Sequence, residues 1–275
     1  MGELKKTPLY EEHVKLGAKL IDFNRWLMPV YYSNVIEEHI TTRTKAGLFD
    51  ICHMGEFFIE GNNAFKLVQK LITNDLKRLE DGKAFYSSMC LENGGIIDDS
   101  LIYRFNQNKF MIVVNAANVE KDLKWFLKHK NFFDDVNVID KTNETAKIDL
   151  QGPKAEEILQ KLTSFELKNL KRFNFIGDNI NNIPTIISRT GYTAEDGFEL
   201  YFNAEKAAEQ WNKLLEIGKE FGLKPVGLGA RDTLRIEAGY PLYNHELSEN
   251  TNPFEAGIGF AVKLEKEDFI GKEIL

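Results

Sequence analysis

The chain has 275 residues, of which 43% are hydrophobic and 28% are charged, and this length suffices for one large globular domain or two modest ones. Its formal net charge of −7 argues against nucleic acid as a partner, and no apolar run reaches the length of a membrane span. The first six residues lack the apolar core of a signal peptide, and Cys52 and Cys90 form neither a disulfide framework nor a metal-ligand spacing, so we expect a cytoplasmic protein.

The first part of the chain alternates helix and strand signals. Asn34 and Glu37 have the spacing of a capping box, which predicts a helix that runs through Lys45. The other elements predicted here are a helix from Thr7-Pro8 through Lys15, a strand at Ile21–Trp26 that Met28-Pro29 breaks, one or two buried strands within Leu48–Ile59, and a helix from Asn62 to Ile72.

Three consecutive strands of a meander follow. The pattern predicts strands at Ala84–Leu91, Ile96–Phe105 and Lys109–Val114, with a glycine-containing turn between the first two. Later elements are a helix from Asn118, a strand at Ala146–Leu150, a helix from Gly152-Pro153, a hairpin of Pro184–Thr190 and Phe198–Phe202, helices at Asn203–Phe221 and Ala230–Ala238, a strand near Gly259–Leu264 and an incipient helix at Gly271. Because helices and strands mix without a repeating βαβ unit, we predict an α+β fold.

The second strand of the meander carries an acidic residue in apolar company. Side chains alternate along a strand, so Asp99 shares a face with Ile97 and Leu101, while Asp98 falls on the other face and looks ordinary. A carboxylate among hydrophobic side chains needs a hydrogen-bond partner, and burial would raise its pKa. The alternative is an aspartate that reaches solvent or a backbone amide near the turn.

Two further charged residues are candidates for ligand binding. Glu199 lies opposite the apolar face of its strand and, if it does not simply face solvent, can accept two parallel N–H bonds from a ring nitrogen and its amino group. Arg231 lies on a predicted helix and either grips a carboxylate or stays solvated at the surface. Tyr86, Tyr103 and Tyr192 are core residues or flat surfaces for a ring.

Other site types are disfavoured. The run Gly227-Leu228-Gly229-Ala230-Arg231-Asp232 lacks the third glycine of a dinucleotide-binding fingerprint. The five histidines show no paired-ligand spacing, so we expect no metal.

Motifs along nearly the whole chain resemble the T-protein family of the glycine cleavage system, the tetrahydrofolate-dependent aminomethyltransferases. They include GLFDICHMGEF, ENGGIIDD, VVNAANVEKD, SRTGYTAEDGFEL, GLGARDTLRIEAG and NTNPFEAGIGFAVKL, in the order in which the family has them. The resemblance implies one folate-binding core over residues 1–275, made of two interleaved α+β subdomains around a central channel. It implies transfer of the methylene of an aminomethyl group from the lipoyl arm of H-protein to tetrahydrofolate, with release of ammonia. The implied partners are H-protein and folate, with no nucleic acid, membrane or metal.

Carried over by motif, the resemblance assigns the catalytic carboxylate to Asp99, the second acid of IIDD, in agreement with the alternation argument. It assigns substrate binding to Glu199 of DGFE and Arg231 of GLGARD. The further folate positions that it implies are Tyr86, Asn115, Tyr192, Tyr103 and Met54.

The sequence departs from the family in three places. Ala194 replaces the usual glycine of GYTGEDG, and Cys52 stands where serine is common. Family members also continue into a C-terminal β-barrel, so this sequence corresponds either to a truncated chain or to a shortened member. Three other functions remain open: a folate-dependent demethylase of the same superfamily, a non-catalytic folate-binding factor, and a docking subunit for H-protein.

Overall fold

The computed structural model describes residues 3–275, so the first two residues of the segment considered for targeting lie outside it. Within this range the α-helices are α1 (Tyr10–Lys15), α2 (Val35–Thr44), α3 (Ala64–Leu71), α4 (Val119–Lys130), α5 (Ala155–Leu159), α6 (Ala207–Gly218) and α7 (Leu228–Glu237). The strands are β1 (Lys5–Lys6), β2 (Lys19–Phe23), β3 (Trp26–Tyr31), β4 (Gly47–Asp50), β5 (Gly55–Glu60), β6 (Lys83–Cys90), β7 (Ile96–Asn106), β8 (Lys109–Val114), β9 (Asn137–Asp140), β10 (Thr145–Gln151), β11 (Phe175–Ile180), β12 (Ile183–Ser188), β13 (Gly197–Asn203) and β14 (Lys224–Val226). The α+β prediction is confirmed. No helix among these residues is long and apolar enough to cross a membrane.

The chain divides into two compact units, each built from two separate stretches. The first unit takes the chain up to His53 and Asn143–Tyr240, and the second takes Met54–Thr142 and Pro241–Leu275. The division explains why no linker is visible in the sequence: the chain passes from one unit to the other at the ends of strands and helices.

The first unit contains a three-stranded sheet in the order β1-β3-β2 and a six-stranded sheet in the order β11-β12-β13-β10-β4-β14. One face of the larger sheet contributes apolar side chains, among them Ile148 and Leu200, to a core shared with Trp211 and Leu214 of α6. Because side chains alternate along β10 and β13, the charged residues between these apolar positions project from the opposite face.

The second unit contains a five-stranded sheet in the order β6-β7-β8-β5-β9, in which neighbouring strands are antiparallel. The predicted meander is therefore confirmed. Helices α3 and α4 supply Val68 and Phe126 to a core with Phe57, Ile102 and Ile112 of the sheet. One face of this sheet is therefore covered by an apolar core.

Two local predictions are wrong for identifiable reasons. The break near Pro29 falls instead at Asn24 and Arg25, whose positive φ angles of 50° and 68° make a tight hairpin turn. Pro29 fits inside β3 because it pairs with Leu20 at a register shift, beyond the residues that β1 reaches. The strand predicted near Gly259–Leu264 is a 3₁₀ turn at Gly259–Ala261, which an alternating apolar pattern does not distinguish from a short strand.

Candidate functional site

Asp99 lies in the second unit, in the first half of β7, paired with Ser88 of β6. Its carboxyl is partly exposed and accepts a hydrogen bond of 2.8 Å from the side-chain amide of Asn115, the residue that follows β8. Burial first, and then the neighbouring charge of Asp98, raise the pKa of Asp99 to about 7, although hydrogen bonds from Tyr86 and Asn115 act in the opposite direction. Asp99 is therefore a carboxyl that changes charge near neutral pH.

Asp98 is the more deeply buried of the two neighbouring acids, and the prediction that it is ordinary was wrong. Its side chain is 0% exposed and accepts hydrogen bonds from the backbone and side chain of Asn115 and from the side chain of Asn118. The simple alternation fails here because a register shift between Met89 and Cys90 of β6 leaves Ile97 out of the pairing. At this point of β7 the side chain of Asp98 is buried and that of Asp99 is partly exposed.

The remaining predicted residues of the second unit lie on or next to its five-stranded sheet. Tyr86 lies on β6, its ring stacks on Phe260 at 5.8 Å between centroids, and its hydroxyl contacts Asp99. Tyr103 is fully buried and lies on the same face of β7 as Asp99. Met54 immediately precedes β5 and is half-buried. The structure thus brings Tyr86, Asn115 and Asp99 into contact.

Glu199 lies in the first unit on β13 and is 3% exposed, so the solvent-facing alternative is excluded. Its carboxylate receives Lys147 Nζ at 2.7 Å and the hydroxyls of Thr190 and Tyr201. Lys147 comes from the adjacent strand β10 and is itself buried. Three donors on one buried carboxylate hold Glu199 in its charged form.

Asp149 lies directly opposite Glu199 in the β10–β13 pairing and was missed by the sequence reasoning. It is buried, and its Oδ1 atom has no hydrogen-bond partner among the described residues. Burial raises the pKa of Asp149 to about 7, Lys147 opposes this rise, and Glu199 adds to it. The signal in the sequence is Lys147-Ile148-Asp149, in which two charges share one face of a strand whose other face is apolar.

Arg231 and Tyr192 lie together in the same unit. Arg231 projects from α7 with its guanidinium 4.5 Å from the centre of the Tyr192 ring, a cation–π contact. Its Nε atom is buried and has no partner among the described residues. His53 is buried nearby, and burial together with the charge of Arg231 lowers its pKa to about 3, so that it stays neutral.

The loop that carries Tyr192 also contains Ala194, whose φ of 64° is left-handed. Glycine adopts this conformation without cost, whereas a Cβ atom is strained there. We expect Ala194→Gly to raise the free energy of unfolding by about 0.5–1 kcal/mol in a urea titration. The control is Ala208→Gly inside α6, which should lower stability by about the same amount. Equal losses for both variants would contradict the strain at Ala194.

Within residues 3–275 no group of three or more His, Cys, Asp or Glu side chains is placed to hold a metal ion. The candidate side chains of the second unit include a titrating carboxyl, Asp99, with the amide donor Asn115. Those of the first unit include the buried Lys147–Glu199 ion pair and the guanidinium of Arg231.

Comparison with known proteins places these residues in a family. The family described as GCVT N-terminal domain matches residues 9–266. An aminomethyltransferase of Halalkalibacterium halodurans is 54% identical over 100% of this chain and 75% of its own length. An aminomethyltransferase of Caldanaerobacter subterraneus is 51% identical over 100% of this chain and 74% of its own length.

The solved structures agree. The glycine cleavage system aminomethyltransferase T from Bartonella henselae superposes with a TM-score of 0.91 at 35% identity, covering 98% of this chain and 73% of that one. The heterotetrameric sarcosine oxidase from Corynebacterium sp. U-96 superposes with a TM-score of 0.53 at 14% identity, covering 81% of this chain and 98% of that one. At that identity the second match concerns the fold alone.

Proposed function

The chain belongs to the GCVT family of glycine cleavage system aminomethyltransferases, and we propose that it transfers the methylene of the aminomethyl group on the lipoyl arm of H-protein to tetrahydrofolate, with release of ammonia. Aminomethyl transfer is the activity by which its relatives are named, at 50% identity and above over the whole chain. Tetrahydrofolate as acceptor and H-protein as donor are the finer parts of the proposal. Residues 1–275 together would form the folate-binding core.

The observation that carries the mechanism is the position of Asp99. A carboxyl that titrates near pH 7 is available as an anion under physiological conditions without being fully hydrated. We assign it two tasks: to orient the reacting amine of tetrahydrofolate, and to stabilise the iminium-like cation that forms as ammonia leaves. An anion at a poorly hydrated position stabilises such a cation far more than it would in water.

The residues of the first unit have binding roles in this proposal. Glu199 is held ionised by Lys147, Thr190 and Tyr201, and these three donors leave one of its roughly four acceptor sites for an N–H group of a pterin ring. Arg231 complements the negative charge of the substrate, and Tyr192 offers the face of its ring. In the second unit Tyr86, Tyr103, Asn115 and Met54 are proposed as folate contacts.

The test is an assay of ammonia release from aminomethyl-loaded H-protein, with and without tetrahydrofolate. We expect release that depends on tetrahydrofolate and produces methylenetetrahydrofolate in equal amount, with the rate rising as the pH increases through about 7 because Asp99 then ionises. Tetrahydrofolate binding without transfer would favour a folate-binding factor, and transfer from a methylated sulfonium compound in place of H-protein would favour a demethylase. The first outcome would overturn the proposed transfer, and the second would overturn the proposed donor.

A further inference from the structure

The second unit contains a pair of buried acids that the proposed reaction does not use. The first is Asp98, which accepts three N–H donors: the backbone amide of Asn115 at 2.9 Å, its side-chain amide at 2.8 Å, and the side-chain amide of Asn118 at 2.7 Å. Asn118 immediately precedes α4, whose N-terminal end favours a negative charge. Three donors and a helix N-terminus therefore favour a negative charge at this position.

The second acid is Asp122, in the first turn of α4. It is 0% exposed, and no hydrogen-bond donor among the described residues reaches either of its carboxyl oxygens. The group that it faces is the carboxylate of Asp98. Burial, and then the charge of Asp98, raise the pKa of Asp122 well above its ordinary range. Two adjacent carboxyls in a buried position cannot both be ionised, so the proton belongs on Asp122.

The other charges near this pair do not compensate the repulsion that two ionised carboxylates would have here. Lys121, next in sequence, lowers the pKa of Asp122, but its ammonium group donates to the hydroxyl of Tyr243 at 2.7 Å and to Glu249 at 3.2 Å. Asp99, on the same strand as Asp98, adds a further negative contribution. A second negative charge on Asp122 would therefore have no adequate counter-charge.

We infer that Asp122 is a permanently protonated acid that donates to Asp98, and that the single negative charge of this pair fixes Asn115 and controls the charge state of Asp99. Asp98 and Asp99 are connected through the side-chain amide of Asn115. The side-chain nitrogen of Asn115 donates to Asp98 and to Asp99, at 2.8 Å in each case. Because Asp98 also binds the backbone amide of Asn115, the side chain of Asn115 cannot turn away, and Asp99 stays oriented. Asp98 and Asp122 are positioning residues.

This inference rests on the proposed role of Asp99, and the first test is the pH dependence of kcat for methylene transfer. The wild-type chain should lose activity below a pH of about 7. In Asp98→Asn the like charge next to Asp99 is gone, so the acid limb should move to lower pH by about one unit. In Asp122→Asn the amide still supplies a neutral donor, so the acid limb should keep its position. A downward shift in Asp122→Asn equal to that in Asp98→Asn would show that Asp122 carries charge and would overturn the inference.

The second test detects the protonated carboxyl of Asp122 directly, and it requires neither an activity assay nor the Asp98 variant. We expect the infrared difference spectrum between the wild-type chain and Asp122→Asn, recorded at pH 8, to contain the C=O band of a protonated carboxylic acid. A carboxylate band in its place overturns the inference. The proposed function fails separately, if Asp99→Asn keeps its turnover, and that result leaves the infrared band unaffected.

Discussion

Replacing Asp99 with asparagine is expected to lower kcat for methylene transfer by about 100-fold or more, while the dissociation constant for tetrahydrofolate changes little. The amide keeps the size and one acceptor of the carboxylate, so binding contacts survive, but it cannot stabilise a developing cation. The measurement is steady-state kinetics with aminomethyl-loaded H-protein, together with calorimetric titration of tetrahydrofolate. A loss of affinity that matches the loss of rate would make Asp99 a binding residue only.

The same substitution should raise stability at alkaline pH. The pKa of Asp99 is about 7 in the folded chain, against about 4 for an unfolded aspartate. Between these two pKa values the folded state binds more protons than the unfolded state. The stability of the wild-type chain therefore falls as the pH rises through this window, and the loss is complete above the folded-state pKa. At pH 8 Asp99→Asn should therefore have a higher Tm than the wild-type chain. The control is Asp134→Asn at an exposed position of the same unit, which should change neither rate nor Tm.

Replacing Lys147 with methionine is expected to cost about 3–5 kcal/mol of unfolding free energy, because the buried carboxylate of Glu199 would lose the ammonium group that it contacts at 2.7 Å. The loss corresponds to a fall in Tm of roughly 2–4 °C per kcal/mol for a chain of this size. Thermal unfolding followed by circular dichroism measures it. The double variant Lys147→Met/Glu199→Gln should recover part of the loss, since it removes the carboxylate charge that Lys147 compensates.

The chain provides a matched control for this ion pair. Lys154 and Glu157 are also separated by 2.7 Å, but their side chains are 43% and 52% exposed. Solvent screens such a pair, so Lys154→Met should cost no more than about 0.5 kcal/mol. Equal effects at Lys147 and Lys154 would show that burial does not strengthen the Lys147–Glu199 pair.

The sequence predicts the elements best where a local signal determines them. The capping box of α2 is confirmed, since Asn34 accepts the amide of Glu37 at 2.9 Å, and the meander and the β12–β13 hairpin are confirmed in their order. It misses β14, a strand of three residues, because so short a strand has no readable period and forms only by pairing with β4.

The residues of the candidate site also differ in how far the sequence predicts them. Motif resemblance singles out Asp99 and Glu199, and the structure gives Asp99 a partly buried and Glu199 a buried position with defined donors. Asp98, Lys147 and Asp149 could not be recognised as buried, because the groups that cover or pair with them come from distant parts of the chain. For Asp98 the decisive donors are Asn115 and Asn118, beyond the next strand.

The central claim is that Asp99 meets tetrahydrofolate as an ionised group. It is tested most directly by a pH titration of the ¹³C-carboxyl NMR signal of Asp99, assigned by its absence in Asp99→Asn, with and without saturating tetrahydrofolate. In the free chain the signal should titrate at a pH of about 7, and the bound amine should shift this midpoint downward because it favours the carboxylate. A titration curve that saturating tetrahydrofolate leaves unchanged would contradict the account.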